Sequence, residues 1–295
     1  MRKNNIKQMF LYLLFNFFIL IANVITFNTK AEILEVTNDI GIIKDQISTL
    51  QKNDILLFDV RNVIFQSESQ GLRYEHKYYY KQKIGQIEAN LGKDKTKQLK
   101  SIIVKYEKPW LVDNEIPKII NDAQNSGIAV FALTKGSTGS YGVIEDRVEL
   151  RTQRLKKLNI DFTKSLNLIN SLHTNRINLT DNLKDHLDDQ YCDEGYPVFQ
   201  NGIIFTAKRS KGLILSRFLE STKLHPKKII LVDNQIYNLI DLEKKCKELG
   251  IEFVGIYFTK SYDNPILLDK KVAEQKFSTL LSENRWIDDN EATNK

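Results

Sequence analysis

A chain of 295 residues with 42% hydrophobic content is too apolar to be disordered, and long enough for one large domain or a core domain with a smaller insertion. Its formal charge of +6 does not point to nucleic acid: Arg2, Lys3, Lys7 and Lys30 lie in an acid-free leader, and the remainder carries 39 basic against 37 acidic residues, without the concentrated basic face that a phosphate backbone requires. Cys192 and Cys246 make neither a disulfide framework nor a metal signature and read as two unpaired thiols, one disulfide being the alternative; His76, His173, His186 and His225 show no zinc-ligand spacing.

The leader has a basic start followed by Met9 to Phe27, "MFLYLLFNFFILIANVITF", an apolar block of 19 residues, and the small-residue stretch Thr29-Lys-Ala31. That is the layout of a cleaved secretory signal over 1–31, which implies export to the periplasm or beyond. The block is also long enough to stay as a membrane anchor, in which case the chain meets the membrane only there; a buried N-terminal helix is the third reading. Residues 37–53 are expected to form an amphipathic helix capped by Thr37. "DILLFD" (54–59) is a short, wholly apolar strand ending at Asp59. Residues 71–108 are polar and helical, with lysines interleaved with acids as on a solvated face. A helix over 113–126 stops at Gly127. "IAVFAL" (128–133) is a second buried strand, ending at Thr134. A charged amphipathic helix follows at 140–158, then irregular polar chain over 159–195. Asn201-Gly202, with apolar residues on both sides, signals a hairpin over 196–206. A helix at 211–221, a third strand "KIILV" ending at Asp233, a helix at 236–249 closed by Gly250, a fourth strand at 252–257 and a helix at 265–284 complete the order, leaving 285–295 as a flexible tail.

Strands that are continuously apolar and alternate with helices predict a three-layer α/β fold, a parallel sheet with helices on both faces. In such sheets ligands bind beyond the C-terminal ends of the strands, so Asp59, Thr134 and Asp233 are expected to converge on one edge. Each has an ordinary reading alone: Asp59 as a turn or cap residue, Thr134 as a helix cap, Lys211 and Arg61 as exposed surface residues. Three polar residues at equivalent strand ends favour a site. "TKGSTGS" (134–140) lacks the GK[ST] order of a P-loop, and no GxGxxG follows a strand.

Asp59 after "ILLF", Thr134 after "IAVFAL", the lysine in "AKRSKG" and Asp233 after "KIILV" together resemble the four motifs of haloacid dehalogenase-like phosphohydrolases, over roughly residues 50–260. "NGIIFT" followed by "SKG" is similar to a signal-bearing bacterial branch of that superfamily. The resemblance implies a Rossmann-like core over 32–65 and 113–284, with residues 66–112 as a helical cap that screens the site. It implies Asp59 as the nucleophile, Thr134 as a phosphate donor and Lys211, or less readily Lys208, as the neutralising cation. Asp59, Asp233 and Asn234 would hold a magnesium ion, and a small phosphorylated molecule would be the substrate.

One position departs from the pattern. Two residues after the nucleophile these phosphatases usually carry a second aspartate, which protonates the leaving group; here it is Arg61, which cannot release a proton at any relevant pH and is expected either to clamp the phosphate or to pair with Asp59 directly. The fourth motif is also reduced, to Asp233-Asn234, with Asn238 a further amide. The expectation is therefore a slow, magnesium-dependent phosphohydrolase, the alternative being a non-catalytic exported protein that keeps the fold as a binding or host-interaction module.

Overall fold

In the computed structural model the described residues are 31–169, 176–180, 195–263 and 265–294. The leader 1–30, and with it the signal or anchor expectation, lies outside them, as do Cys192, His173 and His186. The elements in chain order are β1 (Ala31–Thr37), α1 (Ile40–Ser48), β2 (Ile55–Phe58), β3 (Phe65–Ser67), α2 (Lys77–Tyr106), β4 (Pro109–Leu111), α3 (Ile116–Asn125), β5 (Ala129–Thr134) and α4 (Arg147–Lys157). Then come β6 (Arg176–Asn178), β7 (Val198–Gln200), β8 (Ile203–Phe205), α5 (Lys211–Thr222), β9 (Lys228–Asp233), α6 (Ile236–Leu249), β10 (Glu252–Phe258), α7 (Lys270–Glu283) and α8 (Asp289–Thr293).

The three apolar runs lie side by side and parallel, with β2 between β5 and β9. Successive strand side chains point to opposite faces, so each run feeds two cores. Leu56, Phe58, Ile230 and Val232 enter one layer; Ile55, Leu57, Ile229 and Leu231 enter the other. Ile43 of α1, Ile119 and Ile120 of α3 and Leu155 of α4 close the first layer, and Leu215 and Phe218 of α5 with Leu239 and Leu242 of α6 close the second. Each such side chain contributes about 1.5–3 kcal/mol on full burial, so a charge anywhere inside these runs would be costly. The acids appear only where the strands end.

The sheet has eight strands in the order β1-β10-β9-β2-β5-β8-β7-β6. From β1 to β8 neighbours are parallel, whereas β7 and β6 add an antiparallel edge. The chain leaves β2 toward β5 and returns on its other side as β9, which opens a crevice beyond their C-terminal ends. The hairpin stands as read: Val198 pairs with Phe205, and Asn201 and Gly202 both take positive φ, as a tight two-residue turn demands.

Several expectations change. Thr37 is the last residue of a strand, not a helix cap; its hydroxyl accepts from the amide of Asp39, and the Asp39 carboxylate caps α1 instead. The segment 159–195 contains a strand, β6, and a 3-10 helix over Phe162–Leu168. The long polar helix α2 is interrupted at Gly92, whose φ of 78° and ψ of 170° break the hydrogen-bond ladder. Residues 285–294 are not a loose tail: Ile287 and Ala292 are buried, Trp286 lies edge-on to Phe277, and its indole N–H donates to Glu107 at 2.9 Å. The segment between β2 and α3 leaves the sheet through the β3–β4 ribbon, and its helix packs on α7 through Ile87, Leu99, Ile102, Phe277 and Leu280. Among the described residues no helix is long and apolar enough to cross a membrane.

Candidate active site

Asp59 follows β2 directly, and its amide donates to the carbonyl of Val232 at 2.9 Å, which ties the end of β2 to β9. The chain then turns sharply: the amides of Ile64 and Phe65 both return to the carbonyl of Val60, and Asn62 takes φ 63°. Val60, Val63 and Ile64 anchor this turn in the core, while Arg61 at its apex is exposed. Asp233 ends β9 with 0% exposure.

Between the two carboxylates sits Lys211. Its Nζ donates to Asp59 Oδ1 at 2.8 Å and to Asp233 Oδ2 at 2.6 Å, and the residue is wholly buried. A buried ammonium is tolerated only when paired. Burial works against its charge, but the Asp233 and Asp59 carboxylates outweigh it and hold its pKa above the ordinary value. One ammonium cannot compensate two carboxylates. Burial therefore leaves Asp233 raised, opposed by Lys211 and reinforced by the charge of Asp59.

The chain ahead of Lys211 is built to aim it. Ala207 and Lys208 both take positive φ, a costly pair for residues with side chains. The Thr206 hydroxyl donates to the carbonyl of Arg209 at 2.9 Å, and the Arg209 guanidinium donates to the carbonyls of Gly195 and Ala207 at 3.1 and 3.0 Å. Ser210 caps α5, and Asp241 of α6 accepts from the Ser210 hydroxyl at 2.9 Å and from the Gly212 amide at 3.0 Å. A Cβ on Gly212 would stand 2.8 Å from the Asp241 carbonyl, so the close approach of α5 and α6 requires glycine here. Lys208 is exposed and bonds to neither carboxylate, whereas Lys211 bonds to both.

Thr134, 4% exposed, completes the edge at the end of β5, its hydroxyl accepting from the Gly136 amide at 3.2 Å. Beyond these residues opens a cavity of about 600 Å³, lined by Asp59, Arg61, Thr134 and the loop 135–137 from the core, by residues 93–104 of α2, and by α4. Arg61 lines it but does not pair with Asp59, whose carboxylate is held by Lys211. The sequence therefore brings Asp59, Thr134, Lys211 and Asp233 together as read. It did not reveal Arg147, Arg151 and Arg154 of α4 as cavity residues. Their spacing of four and three in "RVELRTQR" places them on one helix face, a signal that was legible only as a charged face.

The magnesium expectation meets a different donor set. Magnesium requires near-octahedral oxygen ligation, and the Asp233 oxygens are already taken: Oδ1 by the Gln235 amide at 2.8 Å and Asn238 Nδ2 at 3.1 Å, Oδ2 by Lys211 and by Asn238 Nδ2 at 3.0 Å. The Asn234 amide donates to the Tyr262 hydroxyl. On these side chains the spare acceptors are the second oxygen of Asp59 and the amide oxygens of Asn234 and, buried, Asn238, and among the described residues no three His, Cys, Asp or Glu side chains cluster as ligands. As folded, the residues fit an ammonium rather than a dication.

A family model described as "Protein of unknown function (DUF2608)" matches residues 34–293. An uncharacterised protein of Rickettsia prowazekii is 25% identical over 252 residues, 85% of each chain. Another from Rickettsia conorii is 27% identical over 240 residues, 78% of this chain and 77% of its own. A Chlamydia trachomatis protein named "Putative outer membrane protein" is 28% identical over 158 residues, 53% of this chain and 50% of its own. No solved structure matches the chain with significance.

Proposed function

The chain belongs to the DUF2608 family, and from its own site we propose an exported phosphohydrolase, similar to the haloacid dehalogenase-like enzymes, that acts slowly on small phosphate esters through Asp59. The observation that carries this is the Asp59–Lys211–Asp233 cluster, which leaves one oxygen of Asp59 uncommitted at the mouth of a basic cavity. That oxygen attacks phosphorus as the ester P–O bond breaks, and the leaving oxygen departs with the electron pair. Water then attacks the aspartyl phosphate; the P–O bond to Asp59 breaks, the carboxylate is restored, and phosphate and a proton pass to solvent. Thr134 donates to a phosphate oxygen. Lys211 and the arginines around the cavity offset the charge, as positioned cations do in phosphoryl transfer.

Arg61 cannot protonate the leaving group. General acid help is worth about 10²–10⁴ in rate, so aryl phosphates, whose leaving groups need no proton, are the favoured substrates and alkyl esters the poor ones. The apolar leader and the chlamydial relative named for the outer membrane support export, which N-terminal sequencing of the mature protein tests. Release of phosphate from p-nitrophenyl phosphate by the purified protein, lost in Asp59→Asn, tests the activity; no release from the wild type refutes it. The non-catalytic binding module is the second reading, favoured by Arg61 and by the saturation of Asp233.

A further inference from the structure

The cavity wall carries far more positive charge than one phosphoryl group requires. Among the described residues nine lysines and arginines line it against two carboxylates, Asp59 and Glu88. The charge is also poorly compensated where it is most buried. Arg151 lies partly buried over the Phe65 ring at 5.2 Å, and no hydrogen-bond or salt-bridge partner for its guanidinium occurs among the described residues. Arg154 donates to the carbonyls of Val104 and, at 2.9 Å, Glu107, and the Glu107 carboxylate offsets part of its charge, but its neighbours in the first cavity's wall are Arg61 and Arg151. Burial, followed by the charges of Arg154 and Arg61, lowers the Arg151 pKa to about 9. A like-charged, partly desolvated cluster is unfavourable by itself. It becomes favourable when an anion with several acceptor oxygens sits among the guanidinium forks.

The positions also set a length. Arg61, Arg151 and Arg154 face a second, smaller cavity as well as the first, whereas Asp59 and Thr134 line only the first, so the three arginines stand at the junction of the two. Along α4, Arg147 to Arg154 spans seven residues, or about 10 Å at 1.5 Å per residue. That is longer than one phosphate needs.

We infer that Arg61, Arg151 and Arg154 form a subsite for a second phosphate, so that the cavity takes a small molecule carrying two phosphate groups. This rests on the reading that the phosphoryl group to be transferred sits at Asp59 and Thr134, and it identifies the substrate class of that same site. Lys93, Lys97 and Lys100 of α2 line the same cavity and would meet the linking portion of the ligand.

Calorimetric titration of the full-length protein with fructose 1,6-bisphosphate and with fructose 6-phosphate tests the subsite, since both are alkyl esters that turn over too slowly to disturb the measurement. The bisphosphate is expected to bind at least about ten-fold more tightly, as one further charge-assisted contact set implies. Arg151→Gln and, separately, Arg61→Gln are expected to reduce that ratio to below about three. Arg61 is exposed, so its variant keeps the fold, and a melting curve beside each titration separates a lost subsite from a lost structure. Equal affinity for the two sugars, or a ratio unmoved by both substitutions, overturns the proposal. If the preference survives in Asp59→Asn while the wild type releases no phosphate from an aryl ester, the subsite stands and the hydrolase reading falls. If Asp59-dependent turnover is present without the preference, the subsite falls alone.

Discussion

Replacing Lys211 with Met keeps the length of the side chain and removes its charge. In the native site that ammonium is wholly buried and bonded to two carboxylates at 2.8 and 2.6 Å. Its loss leaves Asp59 and Asp233 facing one another with no cation between them. Breaking a buried pair from one side costs about 3–5 kcal/mol, and at roughly 2–4 °C per kcal/mol for a domain of this size the melting midpoint should fall by about 6–20 °C. The loss should depend on pH. In the variant Asp233 loses the ammonium that opposes burial, while burial and the Asp59 charge continue to raise it. An acid whose folded pKa lies above its unfolded value gains stability as pH falls through the folded value and loses it above, so the deficit should shrink as pH is lowered from the neutral range through the folded value of Asp233. Circular-dichroism melts of both proteins across that range measure it, and Asp233→Asn in the Lys211→Met background should recover part of the loss. A fall of less than about 2 °C, or a deficit independent of pH, would refute the sandwiched ammonium.

Arg61→Asp restores a group able to exchange a proton and should raise alkyl-ester turnover by about 10–100-fold, the lower part of the range for general acid help, measured as phosphate release from glycerol phosphate; an unchanged rate places the limit elsewhere. Trp286→Ala removes the Phe277 contact and the bond to Glu107, and should cost about 2–4 kcal/mol for a partly buried indole, read as a lowered melting midpoint. Chelation with EDTA should leave aryl phosphate turnover within about two-fold, since the charge in the site is offset by Lys211 and arginines rather than by a built metal cage; abolition by EDTA with recovery on adding magnesium contradicts that.

The centre of the fold was legible because the runs "ILLF", "AVFAL" and "IILV" within its strands are apolar at every position and leave no solvent face, and the first polar residue after each marks the sheet edge. Asp59, Thr134 and Asp233 could be placed from that alone; Lys211, which by itself reads as an exposed surface lysine, was placed only through the resemblance. β1 could not, because "AEILEVT" mixes acids with apolar residues at an edge, where one partner strand suffices. The packing of 285–294 was hidden for a related reason. Its anchors, Trp286 and Ile287, are isolated apolar residues whose partners lie on α2 and α7, and such long-range contacts leave no local periodicity. The arginine stripe of α4 showed its spacing but not its direction, since an amphipathic pattern cannot say whether a charged face meets solvent or a cavity.

The central claim is that Asp59 accepts a phosphoryl group. Rapid quenching of the protein with p-nitrophenyl phosphate, borohydride reduction and peptide mass spectrometry reads it directly, because an aspartyl phosphate is reduced to homoserine and an untouched aspartate is not. The account predicts homoserine at position 59 in the wild type, and none at that position without the substrate. An unmodified Asp59 in protein that still binds phosphate esters would contradict it and leave a binding site in place of an active one.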